Sequence, residues 1–265
     1  MKTIELEHSG AVTWVWLNQP QRLNTINQTT LEELRQTFSE LDQNDNVRAV
    51  VIAARGPAFS AGFDVSYMAA LTPESVAAGL DETRATYDII EQCSKPVIAA
   101  VQGAALGGGL LLALVSDFRL ASDRASFGAP EVKIGIFPSL NVIPRLERAV
   151  GIGAAKRIVL TGDPINAAEA YRIDLIERIV SADSLHAEAQ QLAERLTKLP
   201  GTALKLSKAA FTAAQRSDFD NWEKQQFVNC WACPEREAAM RKFLNIKQSS
   251  HTSVPGVFAA SEFAK

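Results

Sequence analysis

Three short stretches of this chain combine glycine-rich backbone with residues able to hold or stabilise charge. In FGAPEVKIG, residues 127–135, Glu131 follows a proline and sits among apolar neighbours ahead of another glycine. A carboxylate in such a setting is penalised for its charge, so its pKa rises toward a useful base range. The competing reading is a partly exposed Glu131 paired with Lys133 or a nearby arginine. In QGAALGGGL, residues 102–110, three consecutive glycines stand at a strand-to-helix junction. There they leave backbone N–H groups bare and aimed at whatever approaches, an anion above all. Close packing of a helix on a strand asks for glycine too, and the cluster alone does not separate the two. In ARGPAFSAGFDVSYM, residues 54–68, glycines allow a tight fold and Asp64 can cap the segment behind it.

Other patterns dissolve on inspection. A nucleophile elbow around Ser60 fails because position 58 is Ala and no histidine follows in a convincing order. Cys230 and Cys233 form a C-x-x-C inside a helix-like segment, away from the strand–helix junction at which a thiol pKa is lowered. GIGAAK, residues 151–156, lacks the third glycine and the preceding strand of a dinucleotide fingerprint. The histidines, His8, His186 and His251, have no metal-ligand spacing, so no metal is expected. Net charge is −3 over 265 residues, which gives no electrostatic reason to expect nucleic acid or an anionic membrane as partner. The longest apolar stretch, around residues 110–115, is too short to span a bilayer. With no targeting signal visible at the start and three cysteines, the expected location is cytoplasmic.

The elements that must position these stretches follow from periodicity. AVTWVWL (11–17) reads as a strand, and RAVVIAA (48–54) and KPVIAAV (95–101) as strands covered on both faces. Leu31, Leu34, Phe38 and Leu41 mark a helix, with Thr30 and Glu33 as an expected capping box. Thr72-Pro73 opens a second helix, residues 117–122 and 125–130 read as two short strands, and the rest is mostly helical to about Lys247. Strand–helix repetition followed by a helical last third gives an α/β class. The final stretch, residues 248–265, lacks periodicity and reads as a mobile tail.

Taken together, AFSAGFD, KPVIAAVQGAALGGGL and SFGAPEVKIGIFP resemble, in this order and spacing, the crotonase superfamily, the enoyl-CoA hydratase/isomerase family. The similarity runs from about Ile4 to Lys247. It implies a spiral of ββα turns over residues 1–200 and a C-terminal helical region, 201–265, used to form a homotrimer or homohexamer. It implies an acyl-CoA substrate, with coenzyme A entering as part of that substrate and no tightly bound cofactor. By position, the N–H groups of Phe63 and Gly108 would form an oxyanion hole and Glu131 would be the acid/base. Main-chain atoms near Ala61 and Phe63, with Arg22 and Lys247, would hold the CoA. Leu111, Met68, Pro138, Leu140 and Asn141 would shape the acyl pocket.

The resemblance also carries a departure. Hydratases of the family keep a first glutamate two residues after the triple glycine, and that position is Leu111. After Pro138 the chain reads Ser139-Leu140-Asn141-Val142-Ile143-Pro144 where small, glycine-rich residues are usual. One base and one oxyanion hole suffice to move a double bond, so the expected reaction is isomerisation of 3-enoyl- to 2-enoyl-CoA. The alternatives are hydration, or another enolate reaction, with Glu131 alone, and a non-catalytic acyl-CoA-binding paralogue.

Overall fold

A strand with helices on both faces has no solvent side, so its apolar residues run on without alternation. A computed structural model of the chain describes residues 1–213, 219–231, 234–235, 238 and 240. Its strands are β1 (Ile4–Ser9), β2 (Val12–Leu17), β3 (Ala49–Ala54), β4 (Val97–Val101), β5 (Ala104–Leu106), β6 (Phe118–Ser122), β7 (Ser126–Gly128), β8 (Ile165–Asn166) and β9 (Arg178–Val180). Its helices are α1 (Gln28–Gln43), α2 (Val65–Met68), α3 (Pro73–Gln92), α4 (Gly108–Leu114), α5 (Val142–Thr161), α6 (Ala167–Arg172), α7 (Leu185–Thr197), α8 (Gly201–Ala213) and α9 (Phe219–Trp231). Contacts divide the chain into Met1–Ala214 and Gln215–Lys265, and everything up to α8 belongs to the first unit.

Six strands form one sheet in the order β1-β2-β3-β4-β6-β9. Only β1 and β2 are antiparallel; the other neighbours are parallel. Every residue of β2, β3 and β4 is buried. One transverse row, Trp14, Val51 and Ile98, packs on Leu185, Ala189 and Ala193 of α7. The next row, Val15, Ile52 and Ala99, faces Leu34 and Phe38 of α1 and Ile90 of α3. Alternate residues therefore serve two cores, one on each side of the sheet. In a second sheet, β5-β7-β8, β5 leads into Gly107–Gly109 and β7 leads into the turn that carries Glu131.

One expectation from the sequence is corrected here, and two local features become visible. The helix starting near Thr30 is not capped by a Thr30–Glu33 box. Asn27 is the cap, accepting from the Thr30 N–H at 3.0 Å, while Glu33 turns away to bind the backbone of Lys2, Thr3 and Ile4. The residues 4–9 form β1, missed because only one of its six residues is buried and its apolar signal is correspondingly weak. GIGAAK lies inside α5, where Gly151 takes φ 73°, ψ 160° and breaks the helical path. The expected mobile tail, His251 and Cys233 lie outside the described residues, as does Lys247.

Candidate active site

Glu131 is set by what surrounds it in sequence. Pro130 starts a short 3-10 turn, Pro130–Ile134, and Gly135 at φ 71° ends it, with the Ile136 N–H closing on the Glu131 carbonyl at 2.9 Å. The turn aims the side chain inward, so that its Oε1 would lie 3.1 Å from a Cβ built on Gly107. Its Oε2 is buried and has no hydrogen-bond partner among the described residues. Burial raises the carboxyl above the usual carboxylate range, outweighing a bond from its own backbone N–H. The competing reading, a pair with Lys133, does not hold: Lys133 Nζ lies 2.5 Å from Asp163.

The two glycine-rich segments are stitched together by backbone. The Ser60 N–H donates to Ala104 O at 2.9 Å and the Leu106 N–H to Ser60 O at 3.0 Å. Ser60 Oγ donates to Asn24 O at 2.8 Å and accepts from Gly62 N, which ties this serine to structure. Ile26 bridges Phe63 in parallel: the Ile26 N–H donates to Gly62 O and Ile26 O accepts from Asp64 N. That pattern turns the intervening Phe63 N–H away from Ile26. The N–H groups of Phe63 and Gly108 donate to no acceptor among the described residues.

The glycine cluster thus does both things its sequence allowed, at different residues. A Cβ on Gly109 would meet Ser60 O at 2.4 Å, so that glycine exists for close packing. Gly108 opens α4 with its N–H unused, and a Cβ on Gly62 would reach its nitrogen at 3.4 Å. The two segments therefore present adjacent backbone at one spot.

A cleft of about 120 Å³ joins these parts. Among the residues named from sequence, Ala61, Phe63, Met68, Gly108, Leu111, Glu131 and Leu140 line it. Leu111 is fully buried there. Pro138 and Asn141 do not line the cleft. Pro138 is buried outside it, and Asn141 is exposed at the cap of α5 in a left-handed conformation, φ 59°. Arg22 pairs with Asp64, whose other oxygen accepts from the N–H groups of Ser66 and Tyr67 and so caps α2. The pair engages one guanidinium nitrogen of Arg22, whose side chain stays half exposed. Val65 and Val142 also line the cleft, as do Ile134, Ile136 and Phe137, which were not singled out from sequence. The apolar IGIF run after Glu131 was their signal, and Phe137 is 74% exposed, an unusual place for so large an apolar side chain. A roomier cavity, about 490 Å³, is lined by Leu204, Phe211, Arg145 and Lys208, but its carboxylates, Glu91 and Asp117, are held in ion pairs.

Among the described residues no helix is long and apolar enough to cross a membrane, and no group of three His, Cys, Asp or Glu could hold a metal.

The spiral that brings these loops together is the crotonase fold. The crystal structure of an enoyl-CoA hydratase from Bacillus anthracis matches it with a TM-score of 0.88 at 31% identity, covering 92% of this chain and 96% of that one. The sequence pattern of the family described as enoyl-CoA hydratase/isomerase matches residues 7–251. A crotonyl-CoA hydratase of Syntrophomonas wolfei is 34% identical over 256 residues, 95% of this chain and 98% of that one. A short-chain-enoyl-CoA hydratase of Clostridium acetobutylicum is 36% identical over 249 residues, 92% and 95% respectively. The chain belongs to the enoyl-CoA hydratase/isomerase family and is an enzyme of the crotonase type.

Proposed function

We propose that the chain hydrates a 2-enoyl-CoA, with Glu131 as its single acid/base and the N–H groups of Phe63 and Gly108 as an oxyanion hole. The observation that carries this reading is the meeting, in one cleft, of a buried unpartnered carboxylate oxygen with two unused backbone donors. Hydration is chosen because the relatives are named as hydratases. Glu131, ionised, takes a proton from a water whose oxygen bonds to C3. The C2–C3 π electrons pass to the thioester oxygen, where two preorganised donors stabilise the charge as it develops. Glu131 then returns its proton to C2. A carboxyl raised by burial is suited to both halves of this exchange, since an effective acid/base is poised near working pH.

Isomerisation is the second reading, favoured by Leu111. Among the described residues no carboxylate other than Glu131 lines the cleft, and a leucine occupies the position from which a second would orient the water. Here Glu131 removes a proton from C2 of a 3-enoyl-CoA and returns it at C4. Main-chain atoms near Ala61 and Phe63 would hold the CoA, with Arg22 and Lys247 as its cations. Assembly as a homotrimer or homohexamer through residues 201–265, and a cytoplasmic location, belong to the same proposal and are supported by family membership.

The test assays crotonyl-CoA hydration and 3-enoyl-CoA isomerisation by wild type, Glu131→Gln and Leu111→Glu. Removing the acid/base is expected to cost either reaction about 10²-fold or more in kcat. Hydration by Glu131→Gln at the wild-type rate would end the single-base reading. Faster isomerisation than hydration by wild type would favour the second reaction, and Leu111→Glu would then be expected to shift the ratio toward hydration.

A further inference from the structure

Tyr87, on α3, does not line the cleft, yet it touches both segments that carry the unused donors. It is 1% exposed, among the largest fully buried side chains. Its ring meets the Phe63 ring edge-on, centroids 6.5 Å apart at 72°. Its hydroxyl donates to the Gly108 carbonyl at 3.3 Å. A Cβ on Gly108 would lie 3.0 Å from that hydroxyl and 2.9 Å from Phe63 Cε2, so tyrosine, phenylalanine and glycine are fitted to one another. Burial, with the Glu131 charge behind it, keeps the phenol firmly protonated, so it acts here only as a neutral donor.

The chemistry of the start of α4 explains why such a clamp matters. Gly107, Gly108 and Gly109 have no side chains with which to anchor the first turn. A glycine backbone has more conformational freedom to lose than any other. We propose that Tyr87 is a positioning residue: its ring fixes Phe63 and its hydroxyl fixes the Gly108–Gly109 peptide, the unit next to the one that carries the Gly108 N–H, and so limits the rotation at Gly108 that would move one N–H donor relative to the other. This rests on the reading of Phe63 and Gly108 as the oxyanion hole. A hydroxyl left unpaired at that depth would cost stability, and the Gly108 carbonyl is the acceptor that satisfies it.

The test compares wild type, Tyr87→Phe, Tyr87→Leu and Ile90→Val by crotonyl-CoA turnover and by acetoacetyl-CoA binding. Ile90 is buried on the same helix one turn on, away from the cleft, and controls for a general loosening of α3. Acetoacetyl-CoA binds as its enolate wherever an oxyanion hole accepts it, and the enolate is read by its near-ultraviolet absorbance. Small misplacement of catalytic groups costs up to about 10²-fold. Tyr87→Phe is accordingly expected to lose about tenfold in kcat with KM changed less than about twofold, and to bind less enolate. Tyr87→Leu, lacking ring and hydroxyl, is expected to lose about hundredfold. A folded Tyr87→Phe with wild-type kcat and enolate absorbance overturns the proposal, and so does an equal loss in Ile90→Val. If wild type neither turns over crotonyl-CoA nor enolises acetoacetyl-CoA, the oxyanion-hole reading itself falls and takes the clamp with it.

Discussion

At the scale of single residues, the site places an ionisable group where ionising is unfavourable. Glu131 carries a raised pKa because burial penalises its charged form and no cation offsets it. Such a group favours folding only when protonated in both states. Its contribution is fully present below the unfolded-state pKa and is lost as pH rises through the higher folded value. Glu131→Gln is therefore expected to be more stable than wild type at neutral pH, with the difference shrinking as pH falls. Thermal unfolding from pH 7 down to acid checks this, and a variant less stable at every pH would contradict it. Activity runs the opposite way: a base that must be ionised loses rate as pH drops through its raised pKa, visible in the acid limb of kcat. Glu131 is easy to find in sequence as a carboxylate among apolar neighbours. That its oxygen has no partner was not readable, because Lys133, two residues away, pairs instead with Asp163, thirty residues further along.

At the scale of elements, helix ends show how local rules compete with distant partners. Thr30 and Glu33 have the spacing of a capping box, yet Glu33 serves the N-terminal strand. It accepts from Lys2, Thr3 and Ile4 N–H groups and from the Thr3 hydroxyl at 2.7 Å. Burial would raise its carboxyl, but these donors outweigh it and hold the group below the usual range. Stability from a lowered carboxyl is present above the unfolded pKa and lost as pH falls. Asn27→Ala removes the actual cap and is expected to cost about 1 kcal/mol of stability in denaturant unfolding at neutral pH. Glu33→Gln should instead weaken the molecule most at neutral pH and least in acid, because it replaces an ionised acceptor. An Asn27→Ala effect near zero would show that a different residue caps α1. Thr72, by contrast, caps α3 with Ser75 in a reciprocal box at the boundary its Thr-Pro step marks in sequence.

At the scale of the whole first unit, one buried arginine joins α3 to α5 beside the cleft. The Arg145 side chain, 5% exposed, lies 2.7 Å from Asp88 and 2.5 Å from Glu91 on α3, and donates to Leu140 O at 2.8 Å. Leu140 lines the cleft, so the same arginine that ties two helices also fixes part of its wall. Its carboxylate partners keep its pKa raised although burial opposes the charge. Breaking a buried pair by removing one partner costs about 3–5 kcal/mol. Both carboxylates here are partly exposed, so Arg145→Met is expected near about 3 kcal/mol, measured by urea unfolding, with a rise in KM for crotonyl-CoA. A loss of stability with KM unchanged would separate the helix tie from the cleft wall.

How far sequence reached, and where it stopped, has a physical cause. Runs such as AVVIAA declared strands covered on both faces, because a position without a solvent side admits no polar residue. Leu31, Leu34, Phe38 and Leu41 declared α1, and the glycines and Glu131 declared the segments of the site, since backbone freedom and charge are properties of residue type. β1, β8 and β9 stayed hidden, because a mostly exposed strand and strands of two or three residues carry too little pattern. Only the tertiary structure decided partners: that Gly109 packs on Ser60 while Gly108 keeps its N–H free, that Arg22 is held by Asp64, and that Pro138 and Asn141 stand outside the cleft. Residue type limits what a group can do, and which neighbour it meets depends on chain paths dozens of residues apart.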